Sequence, residues 1–260
     1  MLAKRLRDTR GNSGEVALFF LGQAGFAIKT AVGKLVVIDP YLTDACERLF
    51  GEKRMLPCPI APEELHADLI ASTHAHADHL DPDGLPIYVQ CPTTAFLGAP
   101  DCRQAYMAQG LAADRYTILA TGDTCTRAGI TFRAIFADHG ANTPDAVGLL
   151  LDVDGVTVYF TGDTAYRPNE IRASLGDVSL DLMIAPINGQ FGNMSAPEAV
   201  QLAALLRPRI VIASHFWMFV EHVGRDGDPS IFRREAAALP AETRALIMAP
   251  GELLRYEAPR

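Results

Sequence analysis

The residues best suited to chemistry lie close together in residues 72–79, which read Ser-Thr-His-Ala-His-Ala-Asp-His. Three imidazoles and one carboxylate fall within six positions of this segment, which we call the histidine loop. Residues 68–71, which are largely apolar, predict a buried strand that ends near Thr73. Asp81-Pro82 is typical of a helix N-terminus. The histidine loop is therefore predicted to connect a strand to a helix.

The spacing within the histidine loop suits metal ions. Side chains two residues apart project to the same side of an extended backbone, so His74 and His76 can offer two ring nitrogens to one ion. Asp78 and His79 follow the bend and suit a second ion. A tetrahedral catalytic site needs about three protein ligands and one open position, so further ligands must come from downstream. A solvated loop that is rich in histidine is the alternative.

Three later strands are also predicted to end in metal-binding side chains. They are His139 after residues 131–136, Asp163 after residues 156–161 and His215 after residues 209–214. Ligands at the ends of different strands converge when those ends lie on one edge of the sheets. A single histidine at a strand end is more often structural, whereas four strand ends of this kind favour a metal centre.

The elements that must position these residues indicate an α/β fold. Strands are predicted near residues 16–21, 26–29, 34–38, 69–73, 87–89, 117–119, 130–136, 148–152, 156–161, 182–186, 209–213 and 244–248. Helices are predicted directly after the histidine loop and near residues 101–110, 196–206 and 228–238. No Gly/Ser-rich linker divides the chain, so we expect a single domain over residues 1–260 with two sheets and outer helices.

Composition and charge narrow the classes of function. Of the 260 residues, 49% are hydrophobic and 21% are charged, which is ordinary for a globular protein with a substantial core. The net charge of −8 argues against a nucleic-acid partner, because neutralising phosphates requires clustered Lys and Arg. No apolar run reaches transmembrane length, so no membrane partner is expected. The sequence leaves the oligomeric state open, and a homo-oligomer is compatible with it.

The cysteines and the N-terminal residues favour the cytoplasm. The five cysteines are dispersed and none are spaced as CxxC, which fits a reducing compartment better than a disulfide framework. Residues 1–10 are charged, and the first apolar run, residues 16–21, is too short for a signal peptide. We therefore expect a cytoplasmic protein.

The motif series resembles a known family. The histidine loop, His139, Gly162-Asp163-Thr164 and Ser214-His215 are similar to the successive metal motifs of the metallo-β-lactamase superfamily. The resemblance covers nearly the whole chain and implies a four-layer αββα sandwich of two mixed β-sheets with outer helices. Residues 21–26, 188–194 and 215–219 and the terminal Pro-Gly-Glu resemble the branch that contains L-ascorbate-6-phosphate lactonase and uncharacterised metal-dependent hydrolases.

The resemblance also implies a ligand set and supporting residues. One metal ion would take His74, His76 and His139, and the other would take Asp78, His79 and His215. Asp163 would bridge the two ions, and Asp39 would orient the ligands. Imidazole and carboxylate ligands without thiolate suit two divalent ions, Zn²⁺ or Mn²⁺ first and Fe²⁺ as another fit.

This ligand set predicts hydrolysis. Two ions about 4 Å apart could hold a hydroxide and polarise a substrate oxygen. We expect a small, anionic substrate with an ester or lactone carbonyl, such as a sugar-phosphate lactone. Asp78 and Asp163 would be catalytic as well as metal-binding, and Glu221 or His222 could donate a proton to the leaving oxygen. A surface role is the alternative for these last two residues.

Other functions remain compatible with the same residues. The superfamily's motif loop also serves phosphodiesterases and nucleases, and a non-catalytic metal-binding protein could keep the fold. Arg167 and Arg225 could bind a phosphate or carboxylate of the substrate, although exposed arginines usually have no such role. Gly122-Asp123-Thr124 repeats the tripeptide at Asp163, but its context predicts a hairpin turn.

Overall fold

Two seven-stranded β-sheets form the centre of the computed structural model, which describes residues 1–222 and 227–259. The strands are β1 (Glu15–Gly22), β2 (Gly25–Lys29), β3 (Leu35–Ile38), β4 (Leu69–Ser72), β5 (Ala95–Gly98), β6 (Tyr116–Ile118), β7 (Thr124–Arg127), β8 (Ile130–Phe136), β9 (Val147–Val153), β10 (Val156–Phe160), β11 (Leu182–Pro186), β12 (Ile210–Ser214), β13 (Arg244–Leu246) and β14 (Leu253–Glu257). The α-helices are α1 (Leu2–Asp8), α2 (Ala45–Phe50), α3 (Leu85–Tyr88), α4 (Arg103–Ala108), α5 (Pro168–Leu175), α6 (Ala196–Leu206) and α7 (Pro229–Glu235). Short 3₁₀ segments cover Pro62–Glu64, Pro100–Cys102, Val220–His222 and Ala236–Ala238.

Both sheets are mixed. Sheet 1 has the order β14-β1-β2-β3-β4-β5-β6, and sheet 2 has the order β13-β12-β11-β10-β9-β8-β7. In sheet 1 the strands from β14 to β3 pair antiparallel and those from β3 to β6 pair parallel. In sheet 2 the strands from β7 to β10 are antiparallel and those from β10 to β13 are parallel. The expected sandwich of two mixed sheets with helices is confirmed.

The central strands β11 and β12 of sheet 2 are buried on both faces. In β12, Ile210 and Ile212 join the larger apolar core, which also contains residues of sheet 1, whereas Val211 and Ala213 join a second core with α5, α6 and α7. Alternate residues of a strand point to opposite faces, so this division shows which face each layer covers. An unbroken apolar run therefore marks a strand that lies between the other sheet and the helices.

Local sequence signals explain several connections. Asp154 and Gly155 have φ values of 55° and 87° in the β9–β10 hairpin, the left-handed pair that this dipeptide favours. Helix α6 begins with Pro197 in its first turn and a capping box between Ser195 and Glu198. The helix predicted over residues 196–206 is confirmed.

The structure corrects one predicted strand and adds unpredicted elements. Residues 87–89 are not a strand, because α3 covers Leu85–Tyr88 and the next strand is β5. Asp81 Oδ1 accepts hydrogen bonds from the backbone N–H groups of Asp83 and Gly84, which starts a helical turn before the apolar run. Helices α1 and α5 and strands β5, β7 and β14 were not predicted. Among residues 1–222 and 227–259, no helix combines the length and apolarity needed to cross a bilayer.

The topology brings the chemically interesting segments to one edge. Strands β3 and β4 are parallel, so Asp39 and the histidine loop follow neighbouring strand ends. Strand β8 runs parallel to β10 because each is antiparallel to β9, and β12 lies in the same direction. The C-terminal ends of β8, β10 and β12 therefore lie at the same edge of sheet 2. His139, Asp163 and His215 follow these strand ends.

Candidate metal centre

Two carboxylates outside the histidine loop hold its backbone. Asp39 Oδ1 accepts a hydrogen bond from Thr73 N at 2.7 Å, and Asp39 Oδ2 accepts one from Thr73 Oγ1 at 2.8 Å. Asp39 Oδ2 also lies 3.0 Å from His79 Nδ1, which directs His79 Nε2 towards the other ligands. Farther along the loop, Asp101 Oδ2 accepts from Ala75 N at 3.0 Å. Asp39 therefore has the orienting contacts expected of it.

Three imidazoles converge at one end of the centre. His76 Nδ1 lies 3.0 Å from His74 Nε2 and 3.1 Å from His139 Nε2. Ligand atoms around a tetrahedral ion with metal–nitrogen bonds of about 2.0–2.1 Å are about 3.3 Å apart. The observed separations fit such an ion, and we call His74, His76 and His139 the first triad.

A second group of ligands converges beside the first. Asp78 Oδ2 lies 3.2 Å from His215 Nε2 and 3.6 Å from His79 Nε2. These separations also match the edge of a metal tetrahedron. We call Asp78, His79 and His215 the second triad.

Asp163 lies between the two triads. Its Oδ2 is 3.2 Å from His215 Nε2, 3.4 Å from His79 Nε2 and 3.7 Å from His139 Nε2. Gly162 permits this position, since a Cβ there would lie 2.6 Å from the carbonyl oxygen of Val147. All seven sequence-predicted metal ligands thus meet in one cluster, with Asp163 between the two triads.

The hydrogen bonding within the cluster indicates metal binding independently of the sequence motifs. His79 Nε2 and Asp163 Oδ1 are buried ligand atoms without a hydrogen-bond partner. Leaving such atoms unsatisfied is costly, and a metal ion would satisfy them. The donors are imidazole and carboxylate, as in many zinc, manganese and iron sites. The described residues therefore fit one ion in each triad.

The charges of the cluster reinforce this fit. Burial holds the pKa of His74 well below its usual value. Burial also lowers the pKa of His215, but Asp163 and Asp78 outweigh it and raise that pKa to about 9. Burial raises the pKa of Asp163, whereas His215 and His79 bring it well below the ordinary range. The Asp163 carboxylate is therefore ionised and attracts positive charge.

Gln23 and Asn193 contact the ligands and were not predicted as site residues. Gln23 Nε2 donates to Asp78 Oδ2 at 2.8 Å and lies 3.1 Å from His215 Nε2. Asn193 Nδ2 donates to Asp163 Oδ2 at 2.7 Å. Both belong to segments, residues 21–26 and 188–194, that were noted only for their resemblance. A polar, non-glycine residue within a tight hairpin turn was the available signal for Gln23.

Left-handed backbone is concentrated around the centre. Gln23, Asp39, Phe191, His215 and Trp217 have φ values between 47° and 57°. Non-glycine residues adopt this region at a cost, most of all bulky ones such as Phe and Trp. The fold therefore holds strained backbone on several sides of the metal centre, as is common at functional sites.

The remaining candidate residues lie apart from the ligand cluster or outside the described residues. Glu221 Oε2 accepts a hydrogen bond from Lys53 N at 2.8 Å, and its role as proton donor stays a prediction. The side chain of His222 and all of Arg225 lie outside the described part of the chain. Arg167 pairs with Asp138 at 2.7 Å on the surface. Asp123 accepts from Ala120 N within its turn, as expected for a non-ligand.

Known proteins share both the sequence pattern and the fold. A family model described as a beta-lactamase superfamily domain matches residues 36–216. The metal-dependent hydrolase TK0141 of Thermococcus kodakarensis is 30% identical over 254 residues, with 92% of this chain and 99% of the relative covered. A metal-dependent hydrolase of Methanosarcina mazei is 28% identical over 258 residues, with 93% and 99% covered.

A solved structure agrees with these relatives. The metallo hydrolase Igni18 of Ignicoccus hospitalis superposes with a TM-score of 0.73 at 23% identity, over 94% of this chain and 100% of that one. At this identity the superposition establishes the fold, and the family model and full-length relatives establish the family. The chain is therefore a member of the metallo-β-lactamase superfamily and belongs among its metal-dependent hydrolases.

Proposed function

We propose that this protein hydrolyses a small ester or lactone at a binuclear metal site. The single observation that supports this best is the pair of triads with Asp163 Oδ2 between them. His74, His76 and His139 would hold one ion, Asp78, His79 and His215 the other, and Asp163 both. Zn²⁺ or Mn²⁺ is the proposed metal, with Fe²⁺ as a further fit to the donors.

When bound, such ions supply an activated water at neutral pH and polarise the substrate oxygen. Other residues of the chain hold the metal ligands in place. Asp39 holds His79 through Nδ1, Gln23 holds Asp78, and Asn193 holds Asp163. Because these partners are buried, each ligand atom is fixed before the substrate arrives, which reduces the reorganisation needed for reaction.

The reaction balances with water as the only co-substrate. The water oxygen bonds to the carbonyl carbon, the bond from that carbon to the leaving oxygen breaks, and a proton reaches the leaving oxygen. Glu221 and His222 remain the proposed proton donors. The five cysteines are free thiols, which supports the proposal that the protein acts in the reducing cytoplasm.

The test combines metal analysis with a hydrolysis screen. The full chain is loaded with Zn²⁺ or Mn²⁺, its metal content is measured by elemental analysis, and lactones, carboxylic esters and a chromogenic phosphodiester are offered. About two ions per chain with turnover of lactones or esters supports the proposal. Turnover of the phosphodiester alone would favour the phosphodiesterase alternative, and a fully loaded protein without any turnover would favour a metal-binding protein.

A further inference from the structure

A small apolar cluster lies beside the metal centre and apart from both large cores. It consists of Tyr41, Ala45, Cys46, Met218 and Phe219, with Ala77 of the histidine loop packed against it. Its members come from the segment after β3, from α2 and from the segment after β12. The cluster therefore joins three parts of the chain at the edge where the ligands meet.

One face of this cluster forms a wall of the pocket over the metal centre. The pocket has a volume of about 200 Å³. Five of the seven metal-ligand candidates line it, and the other lining residues are apolar except Glu52, namely Cys46, Phe50, Ala77, Phe191 and Phe219. A pocket that combines apolar walls with a few polar groups is typical of small-molecule binding.

Two of the apolar residues are much more exposed than core phenylalanines. Phe50, the last residue of α2, is 65% exposed, and Phe191 is 61% exposed. Phe191 also has a φ of 55°, a conformation that costs energy for a bulky residue. Covering these rings with an apolar group would remove their surface from water, which is favourable.

The arginine side chains near the pocket contact other groups of the protein. Among residues 1–222 and 227–259, no lysine or arginine lines this pocket, and Glu52 is an acidic lining residue. The Arg54 guanidinium lies 4.3 Å from the centre of the Tyr41 ring and donates to the carbonyl oxygens of Tyr41 and Thr43. Arg167 pairs with Asp138. The described lining thus favours an uncharged group.

We propose, on the basis of the hydrolase function above, that the substrate is an uncharged ester or lactone that carries one small apolar ring beside the scissile carbonyl. Phe50, Phe191 and Phe219 bind this ring, while the carbonyl lies at the metal ligands. The anionic substrate expected from the sequence is the alternative, and the experiments below distinguish the two classes. The size agrees, since an apolar cavity of roughly 150 Å³ in another protein holds one benzene ring.

The first experiment measures specificity with the metal-loaded full chain. Three lactones share one ring: γ-butyrolactone, its γ-phenyl derivative and its γ-carboxylate derivative. Hydrolysis in each case joins the water oxygen to the carbonyl carbon and opens the bond to the ring oxygen. We expect kcat/KM for the phenyl lactone to exceed the other two by about ten-fold or more. A preference for the carboxylate derivative overturns the proposal.

Serine variants then identify the residues that bind the ring. Phe50→Ser and Phe191→Ser should each lower kcat/KM for the phenyl lactone by about ten-fold, mainly through KM, and lower it for γ-butyrolactone by a much smaller factor. The matched control is Leu49→Ser, on the same helix, 45% exposed and not a lining residue. An equal effect of Leu49→Ser, or no effect of the two phenylalanine variants, overturns the proposal.

A binding measurement separates this proposal from the hydrolase function. Cyclopentanones with a 3-phenyl or a 3-carboxylate group mimic the lactones but cannot be hydrolysed, and calorimetric titration gives their Kd. If no lactone or ester is turned over, the proposed function fails. Tighter binding of the phenyl ketone, weakened by Phe191→Ser, still supports the apolar pocket. Tighter binding of the carboxylate, or no difference, contradicts it.

Discussion

At the level of single residues, Asp163, Asp78 and His215 contact partners that carry no metal-binding signal. Asp163 approaches three histidines, yet Asn193 holds the same carboxylate oxygen from another loop. Gln23 likewise contacts both Asp78 and His215. Partners of this kind commonly change metal affinity by about 10–100-fold. We therefore expect the metal affinity of the centre to depend on the side-chain amides of Gln23 and Asn193 as well as on the ligands.

Asp163→Ala should lose both metal and activity. The substitution removes the oxygen that lies between the two triads and takes one buried counter-charge away from both His79 and His215. Elemental analysis should find about one ion per chain or fewer, and turnover should fall by at least 10³-fold. Asp123→Ala is the matched control, since it alters the same Gly-Asp-Thr tripeptide in an exposed turn. Unchanged metal content in Asp163→Ala would rule out the bridging role.

Gln23→Leu should weaken the second triad. Leucine keeps about the same size but removes the donor to Asp78 Oδ2. We expect metal affinity to fall by about 10–100-fold for the weaker of two bound ions, measured by competition with a chelator. Gln104→Leu, at an exposed position of α4, should have no effect. Equal affinities for the Gln23 and Gln104 variants would show that the amide has no part in the centre.

At the level of elements, strand ends and helix starts determine where the ligands lie. Helix α6 begins directly after the loop that carries Asn193, and its start is held by Glu198 Oε2, which accepts from Ser195 N at 2.8 Å. In the same way, Asp39 at the end of β3 accepts from Thr73 at the end of β4. These contacts join neighbouring elements at the ligand edge, so local capping also supports the site.

Glu198→Ala should reduce the stability of the protein without altering its chemistry directly. Loss of half of the capping box leaves the Ser195 N–H without its side-chain acceptor. The free energy of unfolding should fall by about 1 kcal/mol, measured by urea denaturation. Gln201→Ala, on the exposed face of the same helix, should change stability by less than about 0.5 kcal/mol. A Glu198 variant as stable as the parent would show that the capping box contributes nothing.

At the level of the whole molecule, the centre connects the two sheets. The histidine loop follows sheet 1, whereas His139, Asp163 and His215 follow strands of sheet 2. Any ion held by both sets binds only the folded chain, because the unfolded chain does not bring these segments together. Metal binding should therefore stabilise the packing of one sheet on the other.

Metal removal should lower the melting temperature. A ligand at about 100 times its Kd stabilises the folded state by about 2.7 kcal/mol. For a chain of this size, each kcal/mol shifts Tm by about 2–4 °C, so we expect a shift of about 5–10 °C. Scanning calorimetry with added Zn²⁺ and with a chelator measures it, and Asp163→Ala should show a smaller shift. Identical melting curves with and without metal would contradict binding across the two sheets.

The family, most elements and the seven candidate ligands could be predicted from the sequence. Metal binding demands particular side chains, and hairpin turns and helix caps depend on neighbouring residues, so both leave local patterns such as Asp154-Gly155 and Ser195–Glu198. Local patterns were insufficient for residues 87–89. The composition of these residues predicts a strand. The hydrogen bonds of Asp81 start a helical turn just before them, and the run forms α3 instead.

The surroundings of the ligands could not be predicted from the sequence and depend on how the chain folds. Gln23 reaches Asp78 across 55 positions of the chain, and Phe50 and Phe191 line one pocket from opposite halves of the sequence. Such contacts depend on strand order and on which ends share an edge, and neither composition nor spacing encodes these directly. The ligand types follow from the chemistry of cations, whereas the partners and the apolar wall follow from how the two sheets pack.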